Sequence, residues 1–122
     1  MNDIDSVILT KKVILTSARP ITKDEFVGKL VGFIERLKDF LNLKGCKQIG
    51  HIKFISTTDG EDYLQVSLLD CNDAPSIKGA LKKTFEKISM TLNVIEFGVE
   101  KEEVSKKINE EFSEIKNFFD RS

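Results

Sequence analysis

His51 is the only histidine of the chain, and it lies between two lysines in the stretch KQIGHIKF. A Ser-His-Asp or Cys-His site would therefore have to be built around this residue. Its neighbours Lys47 and Lys53 favour an anion-facing surface instead. Because the sequence places no nucleophile beside His51, we expect a half-exposed histidine on a strand and no catalytic base.

The stretch SIKGALKKTFEK contains the highest density of positive charge in the sequence, and a single glutamate. Together with Lys53 and His51 it could bind phosphate or another anion, or it could form an ordinary solvated surface. Asn93 interrupts an otherwise apolar stretch, and it either faces solvent or holds a polar group of a ligand. The residues of this candidate binding site are His51, Lys53, Lys78, Lys82, Lys83 and Asn93.

The two cysteines, Cys46 and Cys71, do not form a CxxC motif. If Thr58 faces Glu61 in a hairpin, the pairing brings the two thiols near each other. Structural zinc sites use four closely spaced ligands, which these residues do not supply. We therefore expect two small buried side chains, no metal and no cofactor.

The composition predicts a single folded domain spanning residues 1–122. Lys and Arg number 19 against 20 Asp and Glu, and the formal net charge of −1 argues against general attraction to nucleic acid or to anionic membranes. No apolar run approaches the roughly 18 residues of a membrane helix. The first residues, MNDIDS, carry acid where a signal peptide carries base, so we expect a cytoplasmic protein with reduced cysteines.

The stretch VILTKKVILT repeats the same four residues on either side of two lysines. Two-residue hairpin loops require φ > 0, which favours Asn-Gly over Lys-Lys, so one long strand is the better interpretation. Such a strand is long enough for part of it to extend past its own sheet. The more apolar of its two faces contains Val7, Leu9, Lys11, Val13 and Leu15.

The remaining pattern predicts a helix over Lys23–Leu43, a hairpin and a further strand, and a helix from about Lys101 to Phe119. Thr22 and Glu25 form a capping box for the first helix, and a bulge at Gly50 reconciles two phases of the second strand. The stretch DCNDAPSIKG is predicted to be loop, and residues 80–87 are ambiguous. The predicted fold is an α+β two-layer sandwich, in the order β-α-β-β-β-α, whose mainly antiparallel four-stranded sheet has both helices on one face.

Four stretches resemble the C-terminal domain of CobW-type P-loop GTPases: SARPITKDEFVGKLV, LKGCKQIGHIKFI, YLQVSLLD and LNVIEFGVEKEEVSKKI. The chain contains neither a G-x-x-x-x-G-K-[ST] motif nor a Cys-x-Cys-Cys motif. Neither nucleotide hydrolysis nor the metal ligands of that family are therefore implied. The resemblance implies a free-standing relative of an accessory domain in a family that serves metal and cofactor insertion.

These observations support a non-enzymatic interaction module, with a separately encoded P-loop GTPase as a possible partner. The alternative is a domain that binds a small ligand or an anion such as phosphate or a nucleotide; catalysis ranks third. A comparison with double-stranded RNA-binding domains argues against nucleic acid, because the last helix begins with VEKEEV and not with basic residues. We also expect a homodimer, in which Val7, Leu9, Lys11, Val13 and Leu15 contribute to the interface.

Overall fold

The computed structural model describes residues 6–69 and 74–122. Its elements are β1 (Ser6–Thr22), α1 (Lys23–Leu43), β2 (Gln48–Thr57), β3 (Tyr63–Leu68), β4 (Ser76–Ala80), β5 (Thr84–Phe97) and α2 (Lys101–Asp120). The predicted α+β class is confirmed, and both helices begin where the sequence pattern places them.

Within the described residues the sheet has five strands in the order β1-β5-β2-β3-β4, and all neighbours are antiparallel. The prediction of four strands was wrong because β4 lies in the segment assigned to loop and ambiguous structure. All five residues of β4 are exposed, so this edge strand shows no apolar alternation in the sequence. Only its backbone pairing with β3 defines it.

The stretch VILTKKVILT lies within β1 as one continuous strand, as predicted. However, β1 is paired with β5 from Ser6 to Thr16, so no described part of it extends past the sheet. The first half of VILTKKVILT is therefore paired within its own sheet and does not extend past it. β5 is 14 residues long and begins at Thr84, which provides a partner for nearly the whole of β1.

α1 begins at a complete capping box. The Thr22 hydroxyl accepts a hydrogen bond from the Glu25 N–H at 3.1 Å, and the Glu25 carboxylate in turn faces the Thr22 backbone N–H. The helix ends at Leu43 with Lys44 as its C-cap, and Gly45 follows with φ +87°, a conformation that favours glycine. The predicted start and end of α1 are both confirmed.

Both helices cover the same face of the sheet and enclose one apolar core. From Ile88 onward the buried residues of β5 alternate with partly exposed ones, and the buried residues of the strand are Phe85, Ile88, Met90, Leu92, Val94 and Glu96. Phe33 of α1 packs edge-on against Phe54 of β2 and Phe112 of α2, with ring centres 4.9 and 5.1 Å apart. The opposite face of the sheet is covered by no element that the structure describes.

The predicted bulge at Gly50 is present as a shift of register between Ile49 and His51 against β5. The β2–β3 hairpin differs from the expectation by one residue, since Ser56 faces Leu64. Asp62 does not continue the strand pairing and instead accepts hydrogen bonds from the Thr57 hydroxyl and the Thr58 N–H.

Candidate functional site

The uncovered face of the sheet, here called the open face, consists of side chains that alternate with the core residues. Strand register arranges these side chains in rows that cross the sheet. The rows include Ser6–Phe97–Gln48, Ile8–Ile95–His51, Thr10–Asn93–Lys53–Ser67–Ser76, Lys12–Thr91–Ile55–Gln65–Lys78, Ile14–Ser89–Thr57 and Thr16–Lys87.

Large apolar side chains are exposed on this face. Ile8 is 61% exposed, Ile14 is 64% exposed and Ile55 is 39% exposed. Tyr63, at the start of β3, is 53% exposed. Single exposed apolar residues are common on soluble proteins, but a group on one flat face is characteristic of an interaction site.

Two of these isoleucines border an open depression that lies across β1, β5 and β2. It has a volume of about 540 Å³ and is lined on the open face by Lys12, Ile14, Ile55, Thr57, Ser89 and Thr91. The lining is therefore aliphatic and hydroxylic, with one lysine at its border. A protruding apolar side chain of another molecule fits such a surface.

The charges in these rows are all positive. Lys12, Lys53, Lys78 and Lys87 are present, and none of the row positions is Asp or Glu. Burial, together with the charge of Lys53, lowers the pKa of His51 below its ordinary value of 6.5. At neutral pH His51 is therefore uncharged, and the lysines alone determine the charge of the open face.

Four of the six predicted binding residues lie on the open face. Lys53 faces Asn93 across neighbouring strands, His51 lies two residues from Lys53, and Lys78 lies on β4. Asn93 also accepts a hydrogen bond from the Thr10 hydroxyl at 2.8 Å. The structure thus brings these four residues to one surface, and their role in binding stays a prediction.

The other two predicted binding residues, Lys82 and Lys83, lie in the β4–β5 loop. The Lys82 ammonium lies 3.2 Å from a carboxylate oxygen of Asp59, and the Lys83 carbonyl accepts a hydrogen bond from the Lys23 N–H at 2.8 Å. Their contacts are with the β2–β3 loop and with the start of α1. The lysine-rich stretch is therefore divided between two surfaces.

The five residues predicted for a dimer interface belong to the helix-covered face of β1. Leu15 is buried, and Leu9 and Val13 pack against the core. The Lys11 ammonium donates to the Asn109 side-chain oxygen of α2 at 2.5 Å and lies 5.2 Å from the centre of the Phe112 ring. Four of these side chains therefore contact the core or α2, Val7 lies on the same face, and β1 can offer a partner its free backbone edge.

Sequence reasoning missed the opposite face of the same strand. Ile8, Lys12 and Ile14 alternate with the residues that were named, and apolar residues on the more polar face of an amphipathic strand were the available signal. Ile55 belongs to the same group through its row with Lys12.

The one cysteine that the structure describes, Cys46, lies just before β2 and contacts the buried carboxyl group of Glu96 on β5. Its thiol donates to the Gln48 carbonyl at 3.2 Å and lies 3.7 Å from a carboxyl oxygen of Glu96. Burial raises the pKa of the thiol above its ordinary value, and the nearby Glu96 contributes. Cys46 is therefore a poor nucleophile at neutral pH; Cys71 and its expected proximity to Cys46 lie outside the described residues.

Within residues 6–69 and 74–122, no three side chains of His, Cys, Asp or Glu are grouped closely enough to hold a metal ion. In the same part of the chain, no helix has both the length and the apolar character needed to cross a membrane.

No protein-family profile matches the sequence, and no curated protein is significantly similar to it. Among solved structures, the chain is similar to a zinc-bound triple mutant of the YjiA GTPase, with 16% identity and a TM-score of 0.39. The alignment covers 84% of this chain and 29% of that chain, so this chain corresponds to less than a third of the GTPase. At this level of similarity the match does not establish a common family, and the resemblance to CobW-type domains stays a prediction.

Proposed function

We propose that this chain is a non-enzymatic interaction module that binds a partner protein through the open face of its sheet. The observation that carries the proposal is the exposure of Ile8, Ile14 and Ile55 on a face that no described element covers. Burying an isoleucine of this kind contributes about 1.5–3 kcal/mol, so a few such residues are enough to anchor a complex.

The state of the reactive side chains supports a binding role. The thiol of Cys46 is held in its protonated form, and His51 lies on the open face without a described nucleophile in hydrogen-bond contact. Neither residue is prepared for nucleophilic or acid–base chemistry at neutral pH.

The proposed partner is a separately encoded P-loop GTPase of the CobW type. The support for this choice is the sequence resemblance to the C-terminal domain of such GTPases, combined with the lack of a phosphate-binding motif in this chain. A domain of this kind would act by docking on the nucleotide-hydrolysing protein.

The proposal includes a homodimer formed through the free edge of β1. β1 is the first strand in the sheet order, so one side of its backbone has no neighbouring strand among the described elements. A long edge without a bulge from Ser6 to Thr16 is a ready template for a second strand. Pairing of two β1 strands about a two-fold axis would satisfy both edges and leave the open face available.

The test uses a purified CobW-type GTPase from the same organism and isothermal titration calorimetry. We expect binding to the intact chain and at least about a tenfold loss of affinity for Ile14→Ser, because each 1.4 kcal/mol of lost burial is tenfold. The matched control is Leu43→Ser, which removes an apolar side chain that is 85% exposed at the end of α1, outside the open face. Equal weakening by both variants, or no binding by the intact chain, would contradict the proposal.

A further inference from the structure

We propose that the open face recognises an acidic, amphipathic helix of a partner protein, whose apolar side chain occupies the depression between Ile14 and Ile55. This inference rests on the proposed interaction function and adds the chemistry of the partner. The distribution of charge, the spacing of the lysines and the shape of the surface support it.

Charge is segregated between the two layers of the molecule. α1 has four basic and four acidic residues, and α2 has four lysines and six carboxylates. The rows of the open face contain four lysines and no carboxylate, in a chain whose formal net charge is −1. A partner with a negative surface is therefore attracted to the open face and not to the helix layer.

The spacing of the lysines indicates an extended partner. Lys12 and Lys78 lie in the same row with three strands between them, which separates their Cα atoms by about 19 Å at about 4.8 Å per strand. Lys53 lies between them, about 12 Å from each. A single small anion cannot contact all three lysines. Carboxylates repeated every seven residues along one helix are separated by about 10 Å, and a row of them can contact all three.

The shape of the face indicates where the apolar side of that helix lies. The depression between Ile14 and Ile55 is open and shallow, with Lys12 on its border. A leucine or phenylalanine of the partner would fill it, and carboxylates on the flanks of the same helix would reach Lys12 and Lys53. This arrangement matches the helix-in-groove mode of recognition, with an apolar anchor and a charged border.

Other occupants fit these observations less well. A second copy docked face to face would place lysines against lysines, which is repulsive. RNA bound on an open sheet stacks its bases on aromatic side chains in the central strands, but the corresponding positions here are Thr91, Asn93, Lys53 and Ile55. A membrane surface attracts lysines, but it has no protruding group that would fill a depression.

The experiment places a photo-crosslinking amino acid at position 14 or 55 of the full chain in its native host. A control has the same amino acid at position 114, which is exposed on α2. Crosslinked peptides are identified by mass spectrometry. We expect adducts at positions 14 and 55, and not at 114, with a segment of another protein that is net negative and has apolar residues at helical spacing.

Charge variants then test the role of the lysines in the same crosslinking assay. Lys12→Glu combined with Lys53→Glu should reduce the adducts at least tenfold, whereas Lys12→Arg combined with Lys53→Arg should preserve them. Lys101→Glu combined with Lys106→Glu on α2 changes the net charge equally and should have no effect. Circular dichroism and thermal melting of the purified variants confirm that each is folded.

The outcomes separate this inference from the proposed function. Adducts at 14 and 55 with a segment that is not acidic, or adducts that survive the double glutamate variant, would overturn the acidic helix and leave the interaction module standing. Adducts only with RNA, with lipid or with a second copy of the chain would also overturn it. No adduct at any position would overturn both.

Discussion

Gly50 shows how one residue determines the alignment of two strands. A Cβ atom at this position would lie 2.9 Å from Ile95 Cγ2 and 3.2 Å from the Ile95 carbonyl oxygen. A Cβ at these distances would force Ile95 to move, and the close approach occurs where the register of β2 against β5 shifts. The bulge brings His51 and Lys53 to the open face while Ile49 stays buried.

We predict that Gly50→Ala lowers the free energy of unfolding by about 1–3 kcal/mol, because the side chain and the backbone of Ile95 must move. The matched control is Gly28→Ala in α1, where a Cβ meets nothing within 4 Å. That change should raise the free energy of unfolding by about 0.5–1 kcal/mol, since alanine restricts the unfolded chain. Urea denaturation measures both, and two changes of the same sign would contradict the prediction.

Glu96 is a buried carboxyl group that connects β5 to the start of α2. One of its oxygens accepts the Val99 N–H at 3.0 Å, and the other has no hydrogen-bond partner among the described residues. Burial raises the pKa of Glu96 above its ordinary value of 4.5, against the opposing effect of the Val99 N–H. The folded chain therefore keeps this proton to higher pH than the unfolded chain does.

It follows that Glu96 makes folding less favourable as the pH rises. Between 4.5 and the raised pKa the unfolded state loses the proton first, so the free energy of unfolding falls and then becomes level. We predict that Glu96→Gln removes this fall and is more stable than the native chain at neutral pH, with little difference at low pH. Denaturation of both proteins across this range is the measurement, and a difference that does not depend on pH would contradict the prediction.

At the scale of elements, the β2–β3 hairpin is held by one carboxylate. Asp62 accepts hydrogen bonds from the Thr57 hydroxyl at 3.0 Å, the Thr58 N–H at 2.8 Å and the Lys82 N–H at 3.3 Å. Burial alone would raise the pKa of Asp62, but the hydrogen bonds from Thr58 and Thr57 outweigh it and hold the pKa well below the usual range. Asp62 thus connects the β2–β3 loop to the β4–β5 loop.

We predict that Asp62→Ala lowers the free energy of unfolding by about 1–3 kcal/mol, the cost of leaving several donors without a partner. Because the pKa of Asp62 is depressed, its contribution is complete above 3.8 and is lost as the pH falls below that value. The difference between the native chain and the variant should therefore shrink in acid. Asp24→Ala, an exposed change in the first turn of α1, is the control, and a difference that grows in acid would refute the assignment.

At the scale of the whole molecule, the free edge of β1 predicts a dimer. Light scattering of the intact protein at about 100 μM should give twice the mass of the 13.8 kDa chain, since the two edges satisfy one another. Leu9→Lys is not a clean test, because Leu9 packs against the core of its own chain. Deleting residues 1–10 has the same weakness, because it removes strand pairing with β5.

Proline substitutions at two consecutive positions, Lys12→Pro and Val13→Pro, provide a cleaner test. Neighbouring N–H groups of a strand point to opposite sides, so one variant loses a hydrogen bond to β5 and the other loses only a donor at the free edge. We predict that the variant that loses the hydrogen bond to β5 is strongly destabilised. The variant that loses only the donor at the free edge should stay folded but become a monomer. A 13.8 kDa mass for the intact chain, or a folded proline variant that is still a dimer, would exclude this interface.

Local interactions made several features predictable from the sequence. The capping box at Thr22, the glycine after Lys44 and the apolar spacing of both helices depend on residues within a few positions of one another. The turn chemistry of Lys-Lys likewise excluded a hairpin in VILTKKVILT. The α+β class followed, because two amphipathic helices and several amphipathic strands can bury their apolar sides together in few ways.

Contacts between distant residues decided the rest. The exposed strand β4 has no apolar pattern and forms only because β3 offers it an edge. The first half of β1 is likewise paired because β5, which is distant in sequence, lies beside it. Only the tertiary structure shows that Leu9 and Lys11 of β1 lie against α2. It also shows that Ile14, Ile55 and Lys53 share the open face. Which face of a strand is covered depends on where helices distant in sequence pack, and alternation within a strand cannot specify this.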